Sequence, residues 1–320
     1  MPQLSALNFP PPLKSGGTVG LVAPARWPQP EWIEMTKAML ARRGYRVATH
    51  PQTALRDGQL AGSDAARIGA LHDMFADPAI DAVLCVRGGT GSTRLLDGLD
   101  YGLIARNPKP FVGFSDITAL LQAITQRCGF VTFHGPLGWN FAQPDCDPRT
   151  EAELFAMLGP QPAARVLRLL EVETARAGEA EGVLTGGNIT LLQYLIGTPY
   201  DWSGDSAILF IEDVDEALYK IDAKLRQFSM AGKFRHVRAV LVGAMVDIVD
   251  GETGLMRSGE QPYGRDLRQI VMEHVPPHIP LAFNFPCGHA PYITTLPVGA
   301  RVRLRLDEQG GELRFQTSLL

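Results

Sequence analysis

The sequence lacks several features that would assign a function from composition alone. Its 320 residues include four cysteines and no C-x-x-C pair, which argues against a zinc site or a disulfide framework and suits a reducing cytoplasm. No run of roughly 18 apolar residues is present to span a membrane. The proline-rich N-terminus lacks the basic and apolar regions of a signal peptide. A net charge of −4 gives no case for nucleic acid or an anionic membrane as a partner.

Metal and nucleotide motifs are also missing. The seven histidines show no H-E-x-x-H or comparable metal-ligand spacing. Five of them lie in helical or loop stretches that we interpret as solvated: His50, His72, His236, His274 and His278. The glycine cluster at residues 87–92 contains neither G-x-G-x-x-G nor the Gly-Lys-Ser/Thr of a P-loop. Because it follows a strand and precedes a helix, its N–H groups are suited to a phosphate or an oxyanion, unless the glycines serve only a tight turn.

The apolar pattern of the first 150 residues alternates between strands and helices. Strands are predicted at residues 16–25, 45–48, 81–86 and 131–136, and helices at 31–43 and from Ser63 onward. This alternation predicts an α/β fold with a doubly wound parallel sheet and helices on both faces. Ligands of such sheets bind at the carboxyl ends of the strands, which is where the glycine cluster lies.

The second half of the chain is richer in predicted strands. Strands are expected at residues 182–188, 207–211, 239–243, 280–285, 292–296, 301–306 and 312–315, a helix at 219–230, and a surface loop at 250–263. Between residues 140 and 180 the chain is rich in Pro, Asp and Ala, with one expected helix near 151–158. We therefore predict an N-terminal α/β domain at 1–150, a linker at 151–180 and a smaller β-rich domain at 181–320.

The stretch 108–120 predicts a strand that turns sharply into a helix, with Ser115 at the corner. Such a turn holds a hydroxyl clear of its sheet, and the free N–H groups of the helix are then available to an oxyanion. The alternative is that Ser115 and Asp116 form only an N-cap pair.

Two further residues complete a set that nucleophilic catalysis requires. A serine needs an imidazole to accept its proton, and the imidazole needs a carboxylate that fixes its tautomer. Glu212 ends the apolar strand 207–211, and His289 follows a glycine. Asp213 and Asp215 are competing carboxylates. The remaining histidine, His134, is expected to be a hydrogen-bonded structural residue.

Motifs along nearly the whole chain resemble the LD-carboxypeptidase family of serine peptidases. They are the segment 87–96 with Leu99-Asp100-Tyr101, Gly113-Phe114-Ser115-Asp116, His134-Gly135-Pro136, Gly186-Gly187-Asn188, Ile211-Glu212-Asp213-Val214, Ala231-Gly232, Gly288-His289 and Leu296-Pro297-Val298-Gly299. The resemblance implies a flavodoxin-like N-terminal domain, a β-rich C-terminal domain, no cofactor or metal, and a homodimer. It also implies hydrolysis of cytoplasmic murein tetrapeptides at the bond from an L-configured centre to a terminal D-Ala.

By resemblance, Ser115 is the nucleophile, Glu212 the triad carboxylate and His289 the general base. The N–H of Asp116 and the Gly88-Gly89 loop are the expected oxyanion donors. A free D-Ala carboxylate in the substrate needs a cationic partner, for which Arg87 and Arg94 are candidates. Two departures from the family pattern affect the expected cleft: Thr90 stands where the family usually has Tyr, and Ala25 where it usually has Ser.

Three alternatives remain open at this point. A microcin-C-type immunity peptidase would cleave an acyl-nucleotide amide with the same residues, and Trp139 or Trp202 would stack on the base. An α/β-hydrolase esterase shares the Ser, acid, His order but predicts G-x-S-x-G, which is absent around Ser115. A non-catalytic peptide- or carbohydrate-binding module would have no use for all three residues.

Overall fold

A computed structural model describes residues 7–160, 165–250 and 262–316 of the chain. Helices and strands alternate in its first half, as the apolar pattern predicts. The elements are β1 (Thr18–Val22), α1 (Pro30–Arg42), β2 (Arg46–Thr49), α2 (Asp64–Ala76), β3 (Ala82–Cys85), α3 (Tyr101–Arg106), β4 (Phe111–Gly113), α4 (Thr118–Cys128), β5 (Thr132–His134) and α5 (Pro148–Leu158). Gly44 follows the end of α1 with φ +80°, a backbone conformation that glycine adopts without strain.

Strands dominate the second half of the chain. The elements are β6 (Val166–Leu169), β7 (Glu173–Arg176), β8 (Gly178–Asn188), α6 (Ile189–Leu195), β9 (Ala207–Ala217), α7 (Leu218–Met230), β10 (Ala239–Val249), α8 (Leu267–His274), β11 (Leu281–Phe283), β12 (Leu296–Val298), β13 (Arg301–Asp307) and β14 (Gly310–Phe315).

The first sheet has the strand order β12-β5-β4-β3-β1-β2. Strands β1 to β5 are all parallel, and their order is that of flavodoxin-like folds. Successive β3 residues enter opposite cores, since Leu84 packs with Leu40 of α1 and Leu154 of α5, whereas Val83 packs with Leu71 of α2 and Leu120 of α4. The predicted doubly wound sheet is confirmed.

The second sheet has eight strands in the order β6-β14-β13-β8-β9-β10-β11-β7. Strands β8 to β11 run parallel, with α6, α7 and α8 between them in the chain, and the outer strands pair antiparallel. The α/β class with a strand-rich second half is therefore as predicted. In the described ranges, no helix is both long enough and apolar enough to cross a membrane.

The structure differs from the expectations in four places. Strand β9 continues to Ala217, so Glu212 lies within this strand rather than directly after it. Residues 292–295, expected to form a strand, are irregular, and β12 begins at Leu296.

Strands β6 and β7 lie inside the segment 151–180, for which we expected a single helix, and both belong to the second sheet. Strand β12 comes from the end of the chain and adds to the first sheet antiparallel to β5, with Leu296 opposite His134. The division into domains at 1–150, 151–180 and 181–320 stays a prediction, and most of the expected loop 250–263 lies outside the described residues.

Helix α4 connects the two sheets. Asn188 at the end of β8 donates its backbone N–H to Thr118 Oγ1 at 3.1 Å, and Gln122 Nε2 donates to the carbonyl of Gly186 at 2.9 Å. A Cβ on Gly187 would lie 2.6 Å from Thr118 Cγ2, so only glycine permits this approach. These contacts fix the start of α4 against the second sheet.

Candidate functional site

Ser115 lies at a strained corner between β4 and α4. Its φ is +61°, in the left-handed region that costs a non-glycine residue roughly 1 kcal/mol or more. A Cβ on Gly113 would lie 2.8 Å from Ile117 Cγ2, which shows how tightly the chain turns. Ser115 does not cap α4, since no side chain makes a capping hydrogen bond there. The corner is therefore more than an ordinary helix start.

The glycine loop after β3 packs directly against this corner. A Cβ on Gly88 would lie 3.2 Å from Ser115 Oγ, and Gly89 has φ +114°. Glycine at both positions lets the backbone approach the hydroxyl without a side chain in between.

Asp116 joins the corner to the glycine loop. Its Oδ2 accepts a hydrogen bond from the N–H of Ser92 at 2.9 Å, and its carbonyl accepts one from Ser92 Oγ at 2.5 Å. The side chain is buried, and burial raises the pKa of the Asp116 carboxyl. These two hydrogen bonds connect the glycine loop that follows β3 to the serine corner that follows β4.

Glu212 and His289 form a buried hydrogen-bonded pair. Glu212 Oε2 lies 2.8 Å from His289 Nδ1, and because a carboxylate only accepts, Nδ1 carries the proton. A Cβ on Gly288 would lie 2.6 Å from Glu212 Cβ, so glycine before the histidine is required for the approach. The pair leaves His289 Nε2 free to accept a proton.

The electrostatics of this pair favour a charged imidazole. Burial lowers the pKa of His289, but the charge of Glu212 and its hydrogen bond outweigh burial, so the pKa is raised. Burial raises the pKa of Glu212, and the charge of His289 opposes that shift. An imidazole that gains basicity from a buried carboxylate is suited to general-base chemistry.

The Phe114 ring places Ser115 near the pair. The Phe114 and His289 ring centroids are 4.8 Å apart, and Phe114 directly precedes the serine. The structure thus assembles Ser115, Glu212, His289, Asp116 and the glycine loop in one region. Within the described residues, Ser115 Oγ makes no hydrogen bond to His289.

Neither of the two competing carboxylates, Asp213 and Asp215, is hydrogen-bonded to His289 in the described ranges. Asp213 is buried and accepts hydrogen bonds from Asn188 Nδ2 at 2.8 Å and from Thr190 Oγ1 at 2.7 Å, with Lys224 Nζ at 3.4 Å. Asp215 is exposed. Sequence reasoning missed the roles of Asn188 and Thr118, although the Gly186-Gly187-Asn188 motif was a signal for a close approach.

His134 differs from the expectation. Its ring is fully buried, yet neither nitrogen has a hydrogen-bond partner within the described residues. The ring packs edge-on against Phe114 at 5.7 Å and Phe210 at 5.0 Å. Burial and, to a lesser extent, His289 lower the pKa of His134 to about 3, so the ring is neutral. It is an aromatic packing residue rather than a hydrogen-bonded one.

The arginines and tryptophans that the sequence suggested as ligand contacts differ in their accessibility and in their partners. Arg94 is exposed and pairs with Asp64 at 2.7 Å, whereas Arg87 donates to the carbonyl of Trp27 at 2.6 Å. Trp202 is fully buried in an apolar core with Phe228 of α7, so it cannot stack on a ligand. Trp139 lines an open cavity of about 90 Å³ beside His289. The described part of the chain holds no cluster of three or more His, Cys, Asp or Glu side chains suited to a metal ion.

The N-terminal domain model of the LD-carboxypeptidase family matches residues 19–135, and the C-terminal domain model matches residues 181–304. The chain belongs to the LD-carboxypeptidase family. It is therefore a hydrolase of the carboxypeptidase class, as predicted. A probable murein peptide carboxypeptidase of Bacillus subtilis strain 168 is 34% identical to this family member, over 95% of this chain and 94% of that protein.

Two other similarities bear on this LD-carboxypeptidase family member. The crystal structure of muramoyltetrapeptide carboxypeptidase from Oxalobacter formigenes superposes with a TM-score of 0.82 at 26% identity, covering 94% of this chain and 99% of that one. The microcin C7 self-immunity protein MccF of Escherichia coli is 26% identical, over 93% of each chain.

Proposed function

We propose that this enzyme hydrolyses the amide bond between an L-configured diamino acid centre and the terminal D-Ala of murein tetrapeptides. The observation that carries the proposal is the hydrogen bond from His289 Nδ1 to Glu212, formed beside the strained Ser115 corner. A purely structural role for the Glu212–His289 pair would not explain why the serine beside it has a strained backbone. Together the three supply a nucleophile, its base and the group that orients the base.

In the acylation step, Ser115 Oγ attacks the scissile carbonyl carbon and His289 Nε2 accepts the hydroxyl proton. The negative charge that develops on the carbonyl oxygen is held by the N–H groups of Asp116 and the Gly88-Gly89 loop. The carbon–nitrogen bond then breaks, and His289 passes its proton to the nitrogen of the leaving D-Ala. Glu212 stabilises the imidazolium during the step.

In the deacylation step, His289 accepts a proton from a water molecule that attacks the acyl-enzyme. The ester bond to Ser115 breaks, and the proton returns to Oγ. Protons and bonds balance without a cofactor. Ser115 Oγ and His289 make no hydrogen bond in the described structure. Because catalytic hydrogen bonds often tighten only in the complex, we expect the substrate to bring the two side chains together.

The test is product analysis of purified protein incubated with a murein tetrapeptide. We expect release of D-Ala and the tripeptide, and a loss of at least about 10⁴-fold in rate for Ser115→Ala. Ser206→Ala is the matched control, because Ser206 also has a positive φ (+54°) but lies in the exposed turn before β9, beside Arg235 and His236 and outside the candidate site. Equal release by the wild type and Ser115→Ala would refute the nucleophile assignment, and no release by either would refute the substrate.

The second candidate is cleavage of an acyl-nucleotide amide, supported by the similarity to MccF. The observation that favours it is Trp139, which lines the cavity beside His289 and is available to stack on a base. A Trp139→Ala change would then weaken binding of an aminoacyl sulfamoyl adenosine without affecting a tetrapeptide. Failure of the protein to hydrolyse any acyl-nucleotide would remove this candidate.

We further propose that the enzyme is a cytoplasmic homodimer acting on peptides. The four cysteines are all free thiols, which suits a reducing compartment. Light scattering of the purified protein measures its mass directly, and the mass of a single chain would contradict the dimer.

A further inference from the structure

Two arginines at the glycine loop, Arg26 and Arg87, have no carboxylate partner among the described residues. Arg87 lies over the Trp32 ring at 5.1 Å. The Arg26 Nε is buried and has no hydrogen-bond partner within the described residues. Neither Arg26 nor Arg87 forms an ion pair with any residue that the structure describes. Both side chains are half-buried, and buried polar atoms such as the Arg26 Nε normally have a hydrogen-bond partner, so this arrangement requires an explanation.

Arg26 is the one that reaches the site. Its backbone N–H donates to the carbonyl of Gly88 at 3.3 Å. Its Cδ lies 2.5 Å from the place that a Cβ on Gly89 would occupy. The preceding residue of the same loop, Gly88, packs on Ser115. The Arg26 side chain therefore packs against the glycine loop whose N–H groups we assign as oxyanion donors.

The local charge at this point is positive. Burial and the nearby positive charge of Arg26 both lower the pKa of Arg87. Asp116 is an acid near Arg26. Burial raises its pKa, and the Ser92 hydrogen bonds, the charge of Arg67 and, least, the charge of Arg26 oppose that shift. The Asp116 carboxylate already accepts the N–H of Ser92. The Asp116 carboxylate is thus engaged by Ser92 and also acts on Arg67, so it leaves the charges of Arg26 and Arg87 unpaired.

We infer that Arg26, with Arg87 beside it, binds the free carboxylate of the residue that the enzyme releases. This inference rests on the proposed function. In a carboxypeptidase, only the nitrogen and Cα of the leaving residue separate the scissile carbonyl from the free carboxylate. The cation that binds it must therefore lie next to the oxyanion donors, where Arg26 lies. Arg94, the other arginine that the sequence suggested, is held by Asp64 on the surface.

This placement gives Arg26 a role in specificity. An endopeptide or a C-terminal amide has no negative charge at that position, so it would leave the arginines unpaired. A hydrogen-bonded charge pair is worth about 1.5–3 kcal/mol, or about 10- to 100-fold in rate. Arg26 would thus restrict cleavage to the last residue of a chain.

The experiment compares a murein tetrapeptide that has a free C-terminal carboxylate with the same peptide carrying a C-terminal carboxamide. We expect the wild type to prefer the acid by about 10- to 100-fold in kcat/KM. Arg26→Gln should abolish this preference by slowing cleavage of the acid alone, and Arg26→Lys should retain part of it. Arg94→Gln is the matched control and should keep the wild-type preference.

Three results would overturn the inference while leaving the proposed function standing. They are equal cleavage of acid and amide by the wild type, equal slowing of both substrates in Arg26→Gln, and loss of the preference in Arg94→Gln. Cleavage of neither peptide by the wild type would refute the proposed function and this inference together. Thermal melting of each variant verifies that the compared proteins are folded.

Discussion

His289 Nδ1 lies 2.8 Å from Oε2 of Glu212, whose side chain is fully buried and whose Oε1 has no hydrogen-bond partner within the described residues. The imidazole is therefore the main partner of this carboxylate, and the Asn188 amide has a smaller lowering effect on the pKa of Glu212. Its charge and hydrogen bond raise the pKa of His289 against the lowering effect of burial. A general base acts only when neutral, so the activity should fall as the pH drops through this raised pKa.

Glu212→Gln should move the acid limb of the pH profile of kcat/KM to lower pH. Without the carboxylate charge, burial dominates and the pKa of His289 falls. The rate itself should fall by about 10⁴-fold, because the amide no longer fixes the tautomer or stabilises the imidazolium. Asp215→Asn removes an exposed carboxylate from the same strand and should change neither property. An acid limb that stays in place in Glu212→Gln would contradict the assignment of His289 as the base.

The serine corner and the buried acid of strand β9 could be predicted because each leaves a local signature. Gly113 and Ser115 mark a sharp turn between a strand and a helix, and Glu212 follows an uninterrupted apolar run. The order of the first sheet follows from the βαβ alternation of the chain. Local patterns are thus sufficient for the parallel strands of the first sheet and for Ser115 and Glu212, but not for the parallel strands β8 to β11 of the second sheet.

Non-local features left no such signature. Strand β12 pairs with β5 although the two are far apart in sequence, and β6 is four residues long, too short for its alternating burial to stand out. The contact of Arg26 with Gly89 likewise joins two separate loops. His134 was expected to hydrogen-bond because a buried histidine usually does. The rings around it, Phe114 from the corner after β4 and Phe210 from β9, come from other parts of the chain.

Gly88→Ala should reduce activity more than stability. The new Cβ would lie 3.1 Å from Ser115 Cβ and 3.2 Å from Oγ, so it would crowd the nucleophile. We expect kcat/KM to fall by about 10²-fold, the order that a misplacement at the reacting centre costs. Gly69→Ala is the control, because its Cβ meets nothing within 4 Å inside helix α2. It should raise the free energy of unfolding by about 0.5–1 kcal/mol and leave kcat/KM unchanged. Wild-type activity in Gly88→Ala would show that the loop does not face the nucleophile.

Asp116→Ala should destabilise the protein through Ser92 rather than through lost charge. The buried N–H of Ser92 would lose its acceptor at 2.9 Å, which costs about 1–3 kcal/mol in the free energy of unfolding. Asp116→Asn keeps a carbonyl oxygen that can accept this hydrogen bond, so it should recover most of the loss. Denaturant unfolding of the three proteins checks the order. Equal destabilisation by Ala and Asn would mean that the negative charge, and not the hydrogen bond, matters.

His134→Phe should leave the enzyme active and at least as stable as the wild type. The buried ring is neutral, and its two nitrogens have no hydrogen-bond partner within the described residues, so the wild type carries the cost of burying unpaired polar atoms. Phenylalanine keeps the edge-on packing against Phe114 and Phe210 and removes that cost, which we expect to raise the free energy of unfolding by up to about 1 kcal/mol. Thermal melting and kcat/KM for the tetrapeptide measure both effects. A fall in kcat/KM as large as that of His289→Ala would instead mean that His134 exchanges protons during the reaction. The two histidines differ in this respect because only His289 has a carboxylate within hydrogen-bonding distance.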